Sequence, residues 1–466
     1  MNLSKSSSQV GGRIVGLFFL VVGFFIFLTL FPYIDRQSIV ITKSEKLKAM
    51  PLIVDTRKSE KSGIKAEKVL QPLSKPKTEP KSICDFSAYR TDICVMKGDI
   101  RIHGNSSLVL FAPNNPNEVA ASDLNKTWVV KPYARKNDGT MATIRNVTLK
   151  SFARLEKAPR CTTNHSVAAV IFSDWGYCGN YWHDFNDVLV PLFITTRKFN
   201  GEVQFLVTQK RDWFFSKYQP IISGLSKYEV IDFDKEQQVH CYPKAILSLY
   251  QHKDFSIDPA KPPYGLSMVS FTKFIREKYS LEKDFAVQIG ENSWRKPRLL
   301  IIGRKHTRVL TNIDKVISMA EELGFEVVVD DLNRGPYVQE AARVVNPCDV
   351  MMGVHGAGLT NIVFLPMNAV VIQIVPLGKL NQLFYDEFGV PSRDMNLKYL
   401  QYEILEEEST LIDLYPRDDP IFTDPMSIHK RGWLELSRVY LQQQNVKLDL
   451  VRFRPVLEKA MNFLRQ

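Results

Sequence analysis

Residues 350 to 366, VMMGVHGAGLTNIVFLP, place three glycines and one histidine among apolar residues. The first apolar run predicts a buried strand, and the second predicts a helix that begins near Leu359. Gly356 and Gly358 let the backbone come close to a ligand, and amides at a helix start favour an anion. The loop lacks the Lys-Ser/Thr of a P-loop and the G-x-G-x-x-G spacing of a dinucleotide site. With His355 as a polar contact, it predicts an anion- or sugar-binding turn, and a purely structural glycine turn is the alternative.

Strand and helix patterns alternate on both sides of this loop. Strands that alternate with helices indicate parallel sheets with crossover helices. The alternation restarts after the KPR at residues 296 to 298, so the chain divides into two halves. The sequence therefore predicts an α/β fold with two Rossmann-like doubly wound domains, at residues 161–296 and 297–466. A strand-rich region at residues 82–160 precedes them.

Two arginines follow the first strand of the second half. In LLIIGRKHTRVLTN, Arg304 and Arg308 come just after the strand and just before a helix that Asn312 is placed to cap. Ligands bind beyond the carboxyl ends of the strands in such sheets, and guanidinium donors suit a diphosphate. The arginines are therefore candidate anion ligands, although two arginines in a surface turn are also common.

The first half carries a histidine and carboxylates in CGNYWHDFNDVLVPLF. His183 and Asp187 are four residues apart, so they share one face of the predicted helix. Such a pair can act as a general base and its orienting partner, whereas helix capping by the acids is the alternative. Asp232 and Asp234 form an Asp-x-Asp element, but no His/Cys/Asp cluster has zinc or calcium spacing. The sequence therefore predicts no metal site.

The charge of the chain is concentrated near its N-terminus. The 466 residues carry a net charge of +11, and residues 1 to 81 hold eleven Lys and three Arg against six acids. The remainder is close to neutral, so a nucleic-acid-binding face is not indicated.

Residues 14 to 34 form an uncharged apolar segment, IVGLFFLVVGFFIFLTLFPYI. This length suffices to cross a hydrocarbon core as a helix and exceeds a signal-peptide core. We interpret the segment as a signal-anchor with a cytosolic tail at residues 1–13, and a buried core helix is the alternative. Residues 35–81 are rich in lysine and proline, which predicts a disordered stem.

Four sequons and six cysteines indicate the lumenal side of a secretory membrane. The sequon asparagines Asn105, Asn125, Asn146 and Asn164 all follow the apolar segment. Cys84 and Cys94 are spaced for a small disulfide-closed loop, which an oxidising compartment permits. For the other four cysteines, a buried free thiol remains the simpler interpretation. The chain is thus expected to be a single-pass type II membrane protein.

Several blocks together resemble glycosyltransferase family 61, most closely its plant xylan-modifying branch. The blocks are CDFSAYRTDICVMKGDIR (84 to 101), GNYWHDFNDVLVPLF (179 to 193), VHC (239 to 241), GRKHTRVLTN (303 to 312) and NPCDVMMGVHGAGLTNIVFLP (346 to 366). The resemblance runs from about residue 84 to the end of the chain. It implies the two-lobed GT-B architecture, an inverting reaction without an Asp-x-Asp metal site, and a place in the Golgi membrane.

Carried over residue by residue, the resemblance assigns two groups of side chains. His183 and Asp187 correspond to the acceptor-side catalytic motif. The donor-binding motif falls on Arg304, Arg308, His355, Gly356, Ala357, Gly358, Thr360, Asn361 and Gln373. Gln373 stands where some relatives outside the xylan branch have an acid, which leaves its role open.

The expected reaction is transfer of a pentose from a UDP-pentose to the xylan backbone without a metal cofactor. Xylosyl transfer in a β-1,2 linkage is favoured, and α-1,3-arabinofuranosyl transfer is the alternative. An N-glycan core β-1,2-xylosyltransferase and a non-catalytic lumenal glycan-binding protein are further alternatives, since a fold alone does not establish catalysis.

Overall fold

The computed structural model describes residues 81 to 290 and 295 to 465. The expected cytosolic tail, the apolar segment at residues 14–34 and nearly all of the stem lie outside the described residues. Within the described part, no helix combines the length and the apolar character needed to cross a membrane.

The first sheet contains ten strands within the described residues. They are β1 Cys84–Asp85, β2 Ile93–His103, β3 Leu108–Pro113, β4 Thr127–Val130, β5 Val147–Ser151, β6 Thr163–Asn164, β7 Ala168–Ser173, β8 Val203–Thr208, β9 Ile231–Asp232 and β10 Val239–Leu247. The main strand order is β4-β5-β3-β2-β10-β7-β8-β9. Strands β10, β7, β8 and β9 run parallel, as the strand and helix alternation predicts.

The strand-rich region before residue 161 belongs to this same sheet. β2 pairs with β10 in antiparallel register, with Cys241 opposite Arg101. Trp128 and Ile100 from the strand-rich region share one buried cluster with Ile171 and Leu206 from the parallel strands. The first half is therefore one mixed sheet, because the antiparallel strands extend the parallel ones and bury the same core.

The second sheet contains five parallel strands in the described part of the chain. They are β11 Arg298–Ile302, β12 Glu326–Asp330, β13 Val350–Val354, β14 Val370–Val375 and β15 Lys398–Glu403. Their order is β12-β11-β13-β14-β15, so the chain winds first to one side of β11 and then to the other. The switch of direction falls between β11 and β13, where the carboxyl ends of two neighbouring strands diverge and leave a crevice.

The helices cover the faces of both sheets. In the first half they span Tyr181–His183, Asp184–Leu189, Val190–Thr196, Asp212–Lys217, Gln219–Leu225 and Met268–Lys278. In the second half they span Ile313–Glu322, Val338–Val345, Ala357–Phe364, Asn381–Phe384, Tyr385–Gly389, Val390–Asp394, Pro420–Thr423, Pro425–Lys430, Trp433–Leu436, Ser437–Gln442 and Leu450–Leu464.

Three short π-helical turns interrupt these helices in the described residues, and two of them lie at related positions. One spans Asp184–Leu189 and the other Tyr385–Gly389, and each is followed by Val-Pro. Proline has no amide hydrogen and its ring crowds the carbonyl four residues earlier, so the preceding turn widens. The residues four positions before the two prolines are Asp187 and Glu387.

The two halves share one apolar core. Phe185 and Phe271 from the first half belong to the same buried cluster as Leu359 and Phe364 from the second. The Phe185 and Phe364 ring centroids lie 6.4 Å apart in an edge-to-face arrangement. Aromatic burial of this kind stabilises a fixed contact between the halves.

Two disulfides are present. The predicted Cys84–Cys94 pair is confirmed, and it links the paired strands β1 and β2. Cys161 and Cys241 form a second disulfide, so the free-thiol interpretation is wrong for these two. Cys161 precedes β6, which pairs with β10, and this contact between residues 80 positions apart could not be read from cysteine spacing. Cys178 and Cys348 are buried free thiols, as the sequence indicates.

Candidate active site

The glycine loop and the paired arginines meet at the switch point of the second sheet. β11 ends at Ile302 and leads to Arg304 and Arg308, while the adjacent β13 ends at Val354 and leads to His355. A Cβ atom at Gly356 would lie 2.6 Å from Arg304 Nη1 and 3.1 Å from Arg308 Nη1, and the φ of Gly356 is +149°. Glycine is required here because a side chain would displace both guanidinium groups.

Arg304 and Arg308 form a half-buried cationic pair. Arg304 donates from Nε to the Thr307 carbonyl at 2.7 Å, and Arg308 donates from Nη1 to the His355 carbonyl at 2.8 Å. Neither guanidinium has a carboxylate within 4 Å among the described residues. Burial lowers the pKa of Arg304, and burial together with the Arg304 charge lowers the pKa of Arg308 to about 9. Two adjacent cations that no described carboxylate neutralises favour binding of an anion.

His355 is a neutral hydrogen-bond donor in this arrangement. Gln373 donates from Nε2 to His355 Nδ1 at 2.9 Å, while Tyr399 Oη donates to Gln373 Oε1 at 2.7 Å. Since Nδ1 accepts a hydrogen bond, the imidazole hydrogen is on Nε2. Burial and the charges of Arg308 and Arg304 hold the pKa of His355 well below its usual value. Gln373 therefore fixes the tautomer of His355, where an acid would favour the protonated ring.

The segment after the glycine loop is helical, as expected, and it begins two residues before Leu359. Ala357–Phe364 is a 3₁₀ helix that begins directly after Gly356. Asn361 donates from Nδ2 to the Gly358 carbonyl at 2.8 Å and accepts from Tyr181 Oη at 3.2 Å, so it links the two halves. Thr360 Oγ1 is buried and has no hydrogen-bond partner among the described residues.

A cleft of about 580 Å³ lies between the halves beside this loop. The second half contributes Arg304, Gly358 and Asn361 to its wall, and the first half contributes Tyr181 and Lys217. Of the donor-side residues predicted from the sequence, Arg304, Ala357, Gly358 and Asn361 thus line the same opening as Tyr181 at the start of the acceptor-side helix. A cleft of this size is suited to a small polar ligand.

Asn312 does not cap its helix through its side chain. It occupies the N-cap position of Ile313–Glu322 but makes no side-chain cap hydrogen bond. Instead, its amide donates to the Leu448 carbonyl at 2.8 Å and accepts from the Leu448 amide at 3.0 Å. The expectation of capping is wrong because a long-range contact with the C-terminal segment engages both amide atoms.

His183 and Asp187 form the predicted pair. His183 Nδ1 lies 2.9 Å from Asp187 Oδ2, which also accepts from Tyr133 Oη at 2.6 Å, while Asn186 Nδ2 donates to Asp187 Oδ1 at 2.5 Å. Asp187 is fully buried, so its oxygens are occupied by protein donors and closed to an incoming hydroxyl. The His183 side chain is 17% exposed, and its Nε2 forms no hydrogen bond with the described residues.

Arg135 lies beside this pair and was missed by sequence reasoning. Its Nη2 is 3.3 Å from His183 Nδ1 and its Nε is 3.5 Å from Asp187 Oδ2. The contact with Nδ1 places two donors together if His183 donates to Asp187. We place a hydrogen on His183 Nδ1 and have it donate to Asp187. The distance from Nδ1 to Asp187 Oδ2 is shorter than that to Arg135 Nη2, and a carboxylate only accepts. The nearby carboxylates Asp187 and Asp138 raise the pKa of Arg135 against the opposing effect of burial.

Glu387 lies between Arg135 of the first half and His355 of the glycine loop. Its Oε2 lies 3.5 Å from His355 Nε2, and its side chain is 25% exposed. Burial and the repulsion of Asp254 raise the pKa of Glu387 to about 7, whereas the charge of Arg135 opposes this rise. Tyr133, Arg135 and Glu387 have no motif of their own. For Glu387, the sequence holds one signal: like Asp187, it lies four residues before a proline.

Asp232 and Asp234 are engaged by protein groups. Asp234 accepts from Thr208 Oγ1 and from the Gln209 amide, both at 2.8 Å. Asp232 Oδ2 lies 2.8 Å from Lys235 Nζ. These contacts account for the Asp-x-Asp element as a structural feature of the β9 end.

A two-part α/β fold with a cleft between its halves, a cationic pair and a histidine-carboxylate pair is consistent with a glycosyltransferase. The Glycosyltransferase 61 family profile matches residues 181–372. The chain is 48% identical over 399 residues to β-1,2-xylosyltransferase XYXT1 of Oryza sativa subsp. japonica, covering 83% of this chain and 85% of that protein. The chain therefore belongs to glycosyltransferase family 61.

Two further relatives extend this comparison. Alpha-1,3-arabinosyltransferase XAT3 of Oryza sativa subsp. japonica is 50% identical over 385 residues, which cover 82% of this chain and 66% of that protein. Xylan glycosyltransferase MUCI21 of Arabidopsis thaliana is 35% identical over 426 residues, covering 88% of this chain and 85% of the relative.

Replacement of Arg304 tests the anion site. We expect Arg304→Ala to weaken UDP binding about 10- to 100-fold, because one charge-assisted hydrogen bond contributes about 1.5–3 kcal/mol. The melting temperature without ligand should stay constant or rise, since the repulsion of Arg308 is removed. Titration calorimetry and thermal unfolding measure the two effects. Arg417→Ala, at an arginine paired with Glu406 and Glu407, is the matched control. Unchanged UDP affinity in Arg304→Ala would exclude the assignment.

Replacement of Glu387 tests its raised pKa. When the pKa of a carboxyl is raised in the folded state, the free energy of unfolding of the protein falls as the pH increases from about 4.5 through about 7. Glu387→Gln should therefore flatten the pH dependence of the free energy of unfolding and stabilise the protein at pH 8, by at most about 3 kcal/mol. Denaturant unfolding at several pH values measures this, with Glu322→Gln at an exposed position as the control. Parallel profiles for the variant and the wild type would contradict the raised pKa.

Proposed function

We propose that this chain is an inverting xylan pentosyltransferase with the GT-B architecture. The observation that carries the proposal is the uncompensated Arg304 and Arg308 pair, which adjoins a cleft that also receives the start of the His183 helix. The doubly wound order of the second sheet supports a nucleotide-binding lobe, since such sheets bind ligands at the switch point. The names of the rice and Arabidopsis relatives support a pentose donor and a xylan acceptor.

In the proposed reaction, an acceptor hydroxyl attacks the anomeric carbon of a UDP-pentose. The new bond joins the hydroxyl oxygen to that carbon, and the bond from the carbon to the diphosphate oxygen breaks. The electron pair leaves with UDP, whose growing charge is stabilised by Arg304 and Arg308. The hydroxyl proton passes to Nε2 of His183. Attack from the face opposite the leaving group inverts the anomeric centre.

Asp187 acts as a positioning residue in this mechanism. Its buried oxygens are held by Tyr133 and Asn186, so it orients His183 and stabilises the imidazolium that forms. The exposed nitrogen of His183 is the better base because an acceptor can reach it. The geometry thus favours one member of the pair, which the sequence alone does not distinguish.

The two arginines supply the positive charge that a divalent ion provides in other sugar transferases. They donate in a fixed planar geometry that suits diphosphate oxygens. The enzyme is therefore proposed to act without a metal cofactor, with the UDP-sugar as a co-substrate.

The proposed sugar is xylose, added in a β-1,2 linkage. Transfer of arabinofuranose in an α-1,3 linkage is the second candidate, which the 50% identity to an arabinosyltransferase favours. A pocket separates such sugars by a few hydroxyl contacts, so identities of 48% and 50% do not choose between them.

One incubation tests the reaction. The purified protein is mixed with xylo-oligosaccharide and separately with UDP-xylose, UDP-arabinofuranose or UDP-N-acetylglucosamine, and the products are weighed by mass spectrometry. We expect a pentose increment with UDP-xylose, and linkage analysis then identifies the substituted position. An increment with UDP-arabinofuranose alone selects the second candidate. Product with UDP-N-acetylglucosamine alone, or on an N-glycan and not on xylan, would refute the proposal. Chelation of divalent ions should leave the rate unchanged.

The proposed location is the Golgi membrane, in a type II orientation with the catalytic part in the lumen. All four sequon asparagines are exposed in the described structure, so each is accessible to a glycan. Endoglycosidase treatment of the protein from plant secretory membranes should increase its gel mobility. Simultaneous replacement of Asn105, Asn125, Asn146 and Asn164 by Gln should abolish the shift. An unchanged mobility of the wild type would count against a lumenal catalytic part.

A further inference from the structure

Three of the exposed aromatic side chains of the first half lie near the loop after β7. Trp175, Tyr177 and Trp213 have exposed fractions of 39%, 39% and 42%. Large aromatic rings contribute most when they are buried, so a cluster of exposed ones indicates a surface that another molecule covers. We call these three residues the aromatic platform.

The platform is held in place before any ligand binds. The Arg211 guanidinium lies 5.1 Å from the ring centroids of both Trp175 and Trp213. Arg211 Nη1 also donates to the Cys178 carbonyl at 3.0 Å, and the Cys178 amide donates to the Trp175 carbonyl at 3.2 Å. These contacts fix the loop after β7, so a ligand would meet ordered rings and lose little binding free energy to ordering them.

The platform adjoins both parts of the proposed active site. The Tyr177 ring centroid lies 4.6 Å from that of His183. A Cβ atom at Gly179, which lines the cleft, would lie 4.0 Å from the Trp213 ring. The loop follows the carboxyl end of β7 next to β10, where the first sheet changes winding direction and ligands are expected.

The charges around the platform are already neutralised or hydrogen bonded. Arg211 contacts Asp174, with Nε 3.8 Å from Oδ2, and Lys217 donates to Asp184 Oδ2 at 3.0 Å. The platform therefore presents aromatic faces more than free charge. The polarised C–H groups on one face of a pyranose ring are attracted to the negative face of an aromatic ring.

We propose that the aromatic platform binds the xylan backbone on either side of the xylose that receives the new sugar. This inference rests on the proposed function and extends it to the length of acceptor that the enzyme recognises. A neutral polysaccharide fits the platform because stacking on several rings needs no charge complementarity. An acceptor with more xylose residues reaches more of the platform and binds more tightly.

Acceptor length provides the test. Trp175→Ala and Trp213→Ala should each raise the KM for xylohexaose about 2- to 12-fold, an estimate from typical aromatic contacts. The KM for xylotriose should rise less, because a short acceptor reaches fewer of the rings, and the KM for the donor should change little. Trp213→Phe should restore most of the effect, and Trp433→Ala, at an exposed tryptophan of the second half, is the matched control. Equal changes for the two acceptors, or none, would overturn the proposal.

A binding measurement separates this inference from the proposed reaction. Retardation of the protein in a native gel that contains xylan reports acceptor binding without catalysis. If the wild type transfers no sugar to xylan but is retarded, and the tryptophan variants are not, the platform stands and the reaction is wrong. If retardation is the same in all variants, the platform is wrong. A change from dimer to monomer in the variants with unaltered KM would show a self-association face and overturn the proposal.

Discussion

The buried carboxylate of Asp187 is the constraint on which the rest of the site depends. Removing an ionised carboxylate from water costs several kcal/mol unless hydrogen bonds replace the lost solvation. Here Tyr133 from the strand-rich region, Asn186 from the same helix and His183 supply those bonds. The extension of the first sheet by β2 to β5 is therefore part of the candidate site, because Tyr133 and Arg135 follow β4. The hydrogen bonds that offset the cost of burying Asp187 also fix the orientation of His183.

The second half follows the opposite electrostatic principle. Its two arginines have no carboxylate within 4 Å in the described ranges, so their mutual repulsion favours an anion that relieves it. The absence of a side chain at Gly356 makes their close approach possible. A proposed leaving group that gains negative charge is stabilised most by positive groups that are already in position. The same two positive charges would thus lower the stability of the free protein and stabilise the proposed leaving group.

Short-range features were predictable from the sequence, and long-range ones were not. The glycine loop after β13, the pairing of His183 with Asp187 and the Cys84–Cys94 disulfide all follow from spacings of ten residues or fewer. The Cys161–Cys241 disulfide depends on which strands pair, and Tyr133 reaches Asp187 across 54 residues. The periodicity of an α-helix also conceals the π-helical turns at Asp184–Leu189 and Tyr385–Gly389, each of which precedes a proline whose ring crowds an earlier carbonyl. The one local sign of these two turns in the sequence is an acid four residues before Pro191 and before Pro391.

The shared aromatic core has a consequence for how relatives can diverge. Phe185 of the first half and Phe364 of the second belong to a single packed cluster, so neither half can be exchanged between relatives without also replacing its partner's packing surface. Recombination of whole lobes is therefore a poor route to a new sugar specificity in this architecture. Substitutions in loops at the strand ends, such as the segments around Arg304 and Trp175, fall outside that cluster and leave the junction intact.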